Sequence, residues 1–259
     1  MFDIKKFIIS IDKKIFFEFF KNLTKKFIKY YQINYIFAKN NKYDYLNIHY
    51  FNFKKNILSE LCEKYGSDKG YLDITKTPWG WPAHSYANLY YNLFNDCKNE
   101  IKLVFECGIG TNNKKLISNM STCGKPGASL RVWRDYFKNS LVYGADIDKE
   151  ILFNEDRIFT FYVNQLEAHS IKEMWLNINK NNFDIIIDDG LHSYESAITL
   201  FLNSFYKLKK NGIYIIEDVH VNYINKLSKE LIKYNPEVIL LNDKNAERLD
   251  NNLILIRKD

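Results

Sequence analysis

Apolar residues recur at helical spacing from the start of the chain. Phe7, Ile11, Ile15, Phe19, Leu23 and Phe27 alternate with polar positions that include Lys5, Lys13, Lys21, Lys25 and Lys29. Residues 2 to 40 therefore read as an amphipathic helical region. From Asn56 to Phe94 the pattern is again mostly helical, broken by Gly66-Ser67-Asp68-Lys69-Gly70 and by Thr77-Pro78-Trp79-Gly80-Trp81-Pro82. After Asn99 the texture changes. Short runs rich in Ile, Val and Phe, near 102–107, 141–146, 158–163, 183–188, 212–217, 237–241 and 252–257, alternate with helical segments at 129–138, 149–154, 170–178, 194–209 and 222–233. Continuous apolar runs of this length belong to strands covered on both faces. The alternation predicts an α/β fold: a Rossmann-like, doubly wound, mostly parallel seven-stranded sheet with ligands at the strand carboxyl ends. The short link from Asn242 to Asn251 predicts that the last two strands form an antiparallel hairpin closing the sheet. Two parts are expected: a helical N-terminal extension over 1–57, and an α/β domain over 58–259 with a helical cap at 58–98.

Composition narrows this picture only a little. Of 259 residues, 46% are hydrophobic, enough for a substantial core, and no run approaches the roughly 20 apolar residues of a membrane span. The formal charge of +6 favours anionic partners in general. Since Lys, Asn, Ile, Phe and Tyr are all abundant, that charge reflects the bias of an AT-rich bacterial genome, and no nucleic-acid partner is expected. Cys62, Cys97, Cys107 and Cys123 lack metal or disulfide spacing, which fits a reducing cytoplasm. Asp12, Lys13 and Lys14 interrupt the first apolar run and no cleavage site follows, so no export signal is expected. The N-terminal helices are expected to pack on the core, to contact a second copy in a homo-oligomer, or to lie on an anionic membrane surface.

The chemistry is concentrated at strand ends. The first strand runs into Glu106-Cys107-Gly108-Ile109-Gly110-Thr111, an acid followed by G-x-G in a tight turn. A dinucleotide site would want a third glycine and an immediate helix N-terminus for the pyrophosphate. Here Asn113 takes the glycine's place, and a loop continues through Gly127 before the next helix. The turn suits a nucleoside without a pyrophosphate, such as S-adenosylmethionine. Asp146 ends the second strand, where a carboxylate can accept both ribose hydroxyl protons. Asp148 follows it, as a second cofactor contact or a helix cap. Asn164 and Gln165 lie where an adenine edge would be reached.

Two further strands end in acids: Asp188-Asp189-Gly190-Leu191-His192 and Glu217-Asp218. Adjacent buried carboxylates repel unless a cation or proton joins them. Oxygen donors of this kind suit Mg²⁺, with Asp189, Glu217 and Asp218 as candidate ligands.

Taken with an upstream Tyr65-Gly66-Ser67-Asp68-Lys69-Gly70 segment, His84-x-Tyr86, Tyr90 and the helix Ser129-Leu130-Arg131-x-Trp133-x-Asp135-Tyr136-Phe137, these motifs resemble the class I S-adenosylmethionine-dependent methyltransferases. The likeness is to the macrolide-sugar and surface-polysaccharide O-methyltransferase group and spans Leu58 to Val219. It implies that Glu106, Gly108, Gly110, Asp146, Asp148, Asn164, Gln165 and Asp188 face the cofactor, with His192 as general base beside Asp189. It also implies Mg²⁺ on Asp189 and Glu217 or Asp218. His84 and Tyr86 are candidates for the acceptor side. Where such enzymes carry Gly-Asp-Gln after the third strand, this chain has Val163-Asn164-Gln165.

The expected activity is therefore methyl transfer from S-adenosylmethionine to a hydroxyl of a small polar acceptor: a sugar, a nucleotide-linked sugar or a phosphorylated intermediate, in bacterial surface-polysaccharide or related biosynthesis. N-methylation would need a different acceptor pocket. A nicotinamide-dependent oxidoreductase would need the missing glycine. A non-catalytic subunit that binds a partner or membrane would have no use for His192 and the acidic pairs.

Overall fold

A computed structural model describes residues 48–49, 55–70, 77, 79, 81–241 and 249–259. Most of the expected extension over 1–57 lies outside the described residues. Within that span Ile48–His49 forms a strand (β1) rather than a helix, pairing in parallel with Glu237–Leu240 (β8) at one edge of the sheet.

The remaining strands are Leu103–Cys107 (β2), Leu141–Asp146 (β3), Asn154–Glu155 (β4), Ile158–Tyr162 (β5), Phe183–Asp188 (β6), Leu208–Ile216 (β7) and Asn252–Arg257 (β9). They form one sheet in the order β1-β8-β9-β7-β6-β2-β3-β5-β4. The seven expected strands are all present, and two strands of two residues each extend the sheet at its edges. The connection expected to be helical at 149–154 is a single 3-10 turn, Lys149–Ile151, followed by β4. Thr160 explains the difference: its hydroxyl takes up the backbone N–H and C=O of Phe153, while Asn154 accepts from the Thr160 N–H, which folds the segment back onto β5. The hairpin prediction holds, with β9 antiparallel to both β8 and β7.

Alternation along the strands sorts side chains to two faces. Val104, Val142, Ile185, Ile187, Ile213 and Ile215 pack into one core cluster with residues of the helices Ile57–Tyr65 (α1), Tyr86–Phe94 (α2) and Ala128–Tyr136 (α3). Phe105, Tyr143 and Tyr214 point to the opposite face, and Phe183, ahead of a register shift in β6, packs edge-on against the first two. There Trp175 of Ala168–Ile178 (α4) lies 4.6 Å from Phe105, ring to ring, and Phe201 of Tyr194–Ser204 (α5) packs edge-on to Tyr214. The last helix, Val221–Glu230 (α6), follows β7.

The chain runs from β2 outward through β3 to β5, then returns to β6 and β7 on the other side of β2. The strand order thus reverses between β2 and β6, and a crevice opens there at the carboxyl ends, the usual ligand position in such sheets. At the opposite end of the same pair, Asp184 clamps β2 to β6. Its Oδ2 accepts from the Lys102 and Leu103 backbone N–H groups at 2.8 Å each, and Lys209 pairs with Oδ1. Removing that carboxylate strands two amide donors, at about 1–3 kcal/mol each. Asp184→Ala is therefore expected to lower unfolding stability by about 3 kcal/mol in urea denaturation, and a loss below about 1 kcal/mol would contradict the clamp.

Candidate active site

The two turns that meet at the reversal point are locked together by backbone. Gly108 N–H donates to the Ala145 carbonyl at 2.8 Å, and Asp189 N–H donates to the Cys107 carbonyl at 2.8 Å. Gly108 adopts φ +87°, and a Cβ there would lie 2.0 Å from the Asp189 carbonyl oxygen. Gly110, at φ +83°, turns the loop away over Met120. Only glycine allows this approach without strain.

A cavity of about 690 Å³ opens beside these turns, within the range of small-molecule sites. Gly108, Gly110, Asp146, Asn164, Gln165, Asp189, His192, Glu217, Asp218, His84 and Tyr86 all line it. Asp146 stands at the end of β3 with each carboxylate oxygen accepting one backbone bond, Oδ2 from Ile109 and Oδ1 from Asp148, both at 2.9 Å. One lone pair per oxygen remains for a ligand, the geometry a vicinal diol requires. Burial pushes its carboxyl up, and the backbone donors oppose that shift.

Three residues expected to face the cofactor sit behind the cavity wall. Asp148 accepts from the Thr111 hydroxyl and from Glu150 N–H as the cap of the 3-10 turn, so its carboxylate serves the loop. Glu106 is wholly buried, receiving the Trp133 indole N–H at 2.6 Å and pairing with Lys69. Asp188 accepts from the Gln165 amide at 2.5 Å, and burial lifts its carboxyl to about 6. Gln165 in turn accepts from Leu191 N–H at 2.9 Å. Its amide thus braces the β6 turn, which leaves Asn164 as the polar side chain of that pair with more exposure.

The acidic ends of β6 and β7 are organised by Lys69 and Tyr90, which carry no individual role in the motif pattern, and by Tyr86, expected on the acceptor side. Lys69, only 3% exposed, directs its ammonium to Glu106 at 3.1 Å, to Asp189 at 2.5 Å and to Glu217. Burial disfavours that charge, but Asp189, Glu106 and Glu217 together hold the lysine well above its usual range. Tyr90 donates to Glu217 and Tyr86, one helical turn earlier on α2, donates to Asp218 at 2.6 Å. Neighbouring acids on a strand point to opposite faces, and a left-handed backbone at Asp218 (φ +52°) brings both onto the α2 wall. His84 stacks on Tyr86 at 4.6 Å and places Nε2 3.3 Å from Asp218. The motifs include Lys69 and both tyrosines; what they lack is any sign of contacts that span 120 or more positions of sequence.

His192, also left-handed at φ +58°, sits between two carboxylates: Nε2 is 3.2 Å from Asp189 and Nδ1 is 3.7 Å from Asp218. Burial disfavours its charge, yet Asp218 and Asp189 outweigh burial and lift the imidazole to about 10. An ordinary imidazole value near 6.5 therefore does not apply in this cluster. One ligand oxygen or nitrogen each from Asp189, His192 and Asp218 lies within 4.8 Å of the others, as do oxygens of Glu106, Asp189 and Glu217. Lys69 neutralises only part of this negative charge. Burial raises both Glu106 and Glu217, and the neighbouring Asp189 carboxylate adds to the rise. Oxygen-rich donors with surplus negative charge suit a hard divalent cation.

No family model matches the chain. Among characterised proteins it is 30% identical over 166 residues to 8-demethyl-8-alpha-L-rhamnosyl tetracenomycin-C 2'-O-methyltransferase of Streptomyces olivaceus, covering 64% of this chain and 38% of that protein. It is 32% identical over 166 residues to demethylmacrocin O-methyltransferase of Streptomyces fradiae, covering 64% and 37% respectively. The chain thus matches under two fifths of the length of these relatives. Among solved structures it is similar to the MycE methyltransferase of the mycinamycin biosynthetic pathway in complex with Mg and SAH. The TM-score is 0.56 at 25% identity, covering 79% of this chain and 55% of that one. The resemblance to class I S-adenosylmethionine-dependent methyltransferases read from the motifs holds at the level of fold and of relatives.

Proposed function

We propose that this chain, built on the class I methyltransferase fold, transfers the methyl group of S-adenosylmethionine to a hydroxyl of a sugar or sugar-containing small molecule. The observation that carries this reading is one cavity at the strand reversal point. It sets a free face of the Asp146 carboxylate and the Gly108 turn against His192, Asp189 and Asp218. The relatives named above are O-methyltransferases, and the name of one specifies a rhamnosyl substrate. A bacterial surface-polysaccharide setting is the context we favour for this chain.

Asp146 accepts the ribose hydroxyls, and Gly108 and Gly110 let the main chain lie against the cofactor. Asn164 lines the adenine end, with its side chain donating to Glu167 and accepting from Leu166 N–H. His84 and Tyr86 line the acceptor end. Asp189 and Asp218, with Glu217 beside them, would hold Mg²⁺. When bound, the ion supplies Lewis acidity to an acceptor oxygen and positive charge that depresses the proton affinity of a neighbouring imidazole. His192, once neutral, accepts the acceptor hydroxyl's proton as its oxygen attacks the methyl, and Asp189 and Asp218 hold the imidazole in place. Alignment of oxygen, methyl and sulfur in one line is the other part of the rate enhancement.

The test is transfer of a labelled methyl group from S-adenosylmethionine to p-nitrophenyl glycosides, rhamnoside included, followed by mass spectrometry. A product heavier by one methyl on the sugar supports the reading, and label recovered on an amine acceptor instead would replace it with N-methylation. Chelation is expected to abolish turnover and added Mg²⁺ to restore it. Turnover indifferent to chelator would remove the metal from the reading.

A further inference from the structure

We propose that Lys69 is the resident counter-cation of the carboxylate cluster and that it attenuates the cluster's affinity for a divalent ion, because its seat and the ion's overlap at Asp189. This deepens the reading of the site given above and rests on it. The ammonium bridges the carboxyl ends of three adjacent strands: Glu106 on β2, Asp189 after β6 and Glu217 after β7. The ammonium donates hydrogen bonds to Asp189 and Glu217 and forms an ion pair with Glu106, so carboxylates surround it on three sides. With its charge directed at these three acids, the lysine acts through the groups it holds.

The two triads of ligand atoms share one residue. Glu106, Asp189 and Glu217 surround the ammonium; the second triad, Asp189, His192 and Asp218, contains the two carboxylates of the divalent-ion seat with His192 beside them as the base. Asp189 turns Oδ2 to Lys69 at 2.5 Å and Oδ1 to His192 at 3.2 Å, so each seat uses one oxygen. Glu106 Oε1 is buried without a hydrogen bond, and the Lys69 ammonium lies 3.1 Å from it. Three acids share one ammonium, and a divalent ion at the second seat would take the other oxygen of Asp189. The same ammonium repels that ion. At about 4 Å such repulsion stays strong even at an effective dielectric near 20.

The consequence is a cluster that stays assembled without a divalent ion, since Lys69 holds it, and that binds the ion weakly enough to exchange it. Removing the lysine should reverse both properties. The probe is Mn²⁺, followed by electron paramagnetic resonance and by calorimetry, with wild type, Lys69→Met and Asp218→Asn compared at one pH. Lys69→Met is expected to bind Mn²⁺ at least about tenfold more tightly than wild type, or to bind a second ion, and Asp218→Asn at least about tenfold more weakly. An affinity in Lys69→Met that is unchanged or weaker would overturn the proposal.

Because the substitution leaves three carboxylates unneutralised, the variant is expected to melt at lower temperature in chelator. A melting scan in Mn²⁺ then reads the same point: the ion should restore most of the lost stability and stabilise the variant more than it does wild type. A variant that Mn²⁺ fails to rescue would show Lys69 to be scaffold only and end the proposal. S-adenosylhomocysteine binding by wild type separates the two levels. If wild type fails to bind that ligand, the methyltransferase reading falls, while the Mn²⁺ comparison still decides the role of Lys69.

Discussion

Gly108→Ala is expected to abolish cofactor binding and to destabilise the fold by about 4 kcal/mol or more, a loss confined to a few severe mechanisms. The added methyl group would meet the Asp189 carbonyl oxygen at 2.0 Å and the Gly190 Cα at 2.7 Å, and both are backbone atoms. Neither can rotate away, so the β2 and β6 turns must part. That separation breaks the bond from Asp189 N–H to the Cys107 carbonyl and opens the strand reversal point. The alanine would also inherit φ +87°, which adds strain of its own. Gly110→Ala makes a useful contrast. Its methyl would meet the Met120 sulfur, part of a flexible side chain, so the clash is relieved at lower cost. Urea denaturation of both variants should rank Gly108→Ala as far more damaging, and equal stabilities would contradict the interlocked turns.

His192→Asn is expected to reduce turnover by about 10²–10⁴-fold, the usual worth of a positioned general base, and to leave S-adenosylhomocysteine affinity within about threefold of wild type. Asparagine is chosen because residue 192 is left-handed at φ +58°, a conformation asparagine accepts more readily than alanine. The turn from Asp189 into α5 should then keep its shape, and Ser193 should still cap the helix by accepting from Ser196 N–H at 3.1 Å. Rates measured with the acceptor that wild type methylates decide the matter. A variant that retains more than about a tenth of wild-type turnover would take His192 out of the mechanism.

Much of the fold is legible because periodicity and burial coincide here. The runs at 141–146, 183–188 and 252–257 are strands with those same bounds. Each lies inside the sheet with neighbours on both sides, where an unbroken apolar run reports burial of both faces. Strands β1 and β4 escape such reading because two residues cannot show a period. They exist through backbone pairing with β8 and β5. At the site, sequence indicates which residues reach the sheet edge, since strand ends and turns mark that edge. It does not indicate which side chains turn inward on local bonds. Asp148 and Gln165 are spent in this way, and Glu106 is held beneath the cavity by Trp133. Lys69 illustrates the same gap from the other side. Its partners lie at the ends of three strands far along the chain, and the loop after α1 is held over them by backbone bonds from His84 N–H to Asp68 and from Ala87 N–H to Lys69.

The raised imidazole of His192 is a product of such long-range placement as well. Two carboxylates from different strands face its two nitrogens, and no local pattern encodes their distance. The residue type and the chemistry it offers are visible in the motif, while its protonation state depends on the charge of the whole cluster.

Whether the crevice between β2 and β6 is a site for S-adenosylmethionine is decided by calorimetric titration with S-adenosylhomocysteine, comparing wild type with Asp146→Ala and using NAD as the control ligand. Saturable binding of one molecule per chain, no binding of NAD, and at least about a tenfold loss of affinity on removal of the Asp146 carboxylate are expected. Heat evolved with NAD but none with S-adenosylhomocysteine would contradict the assignment.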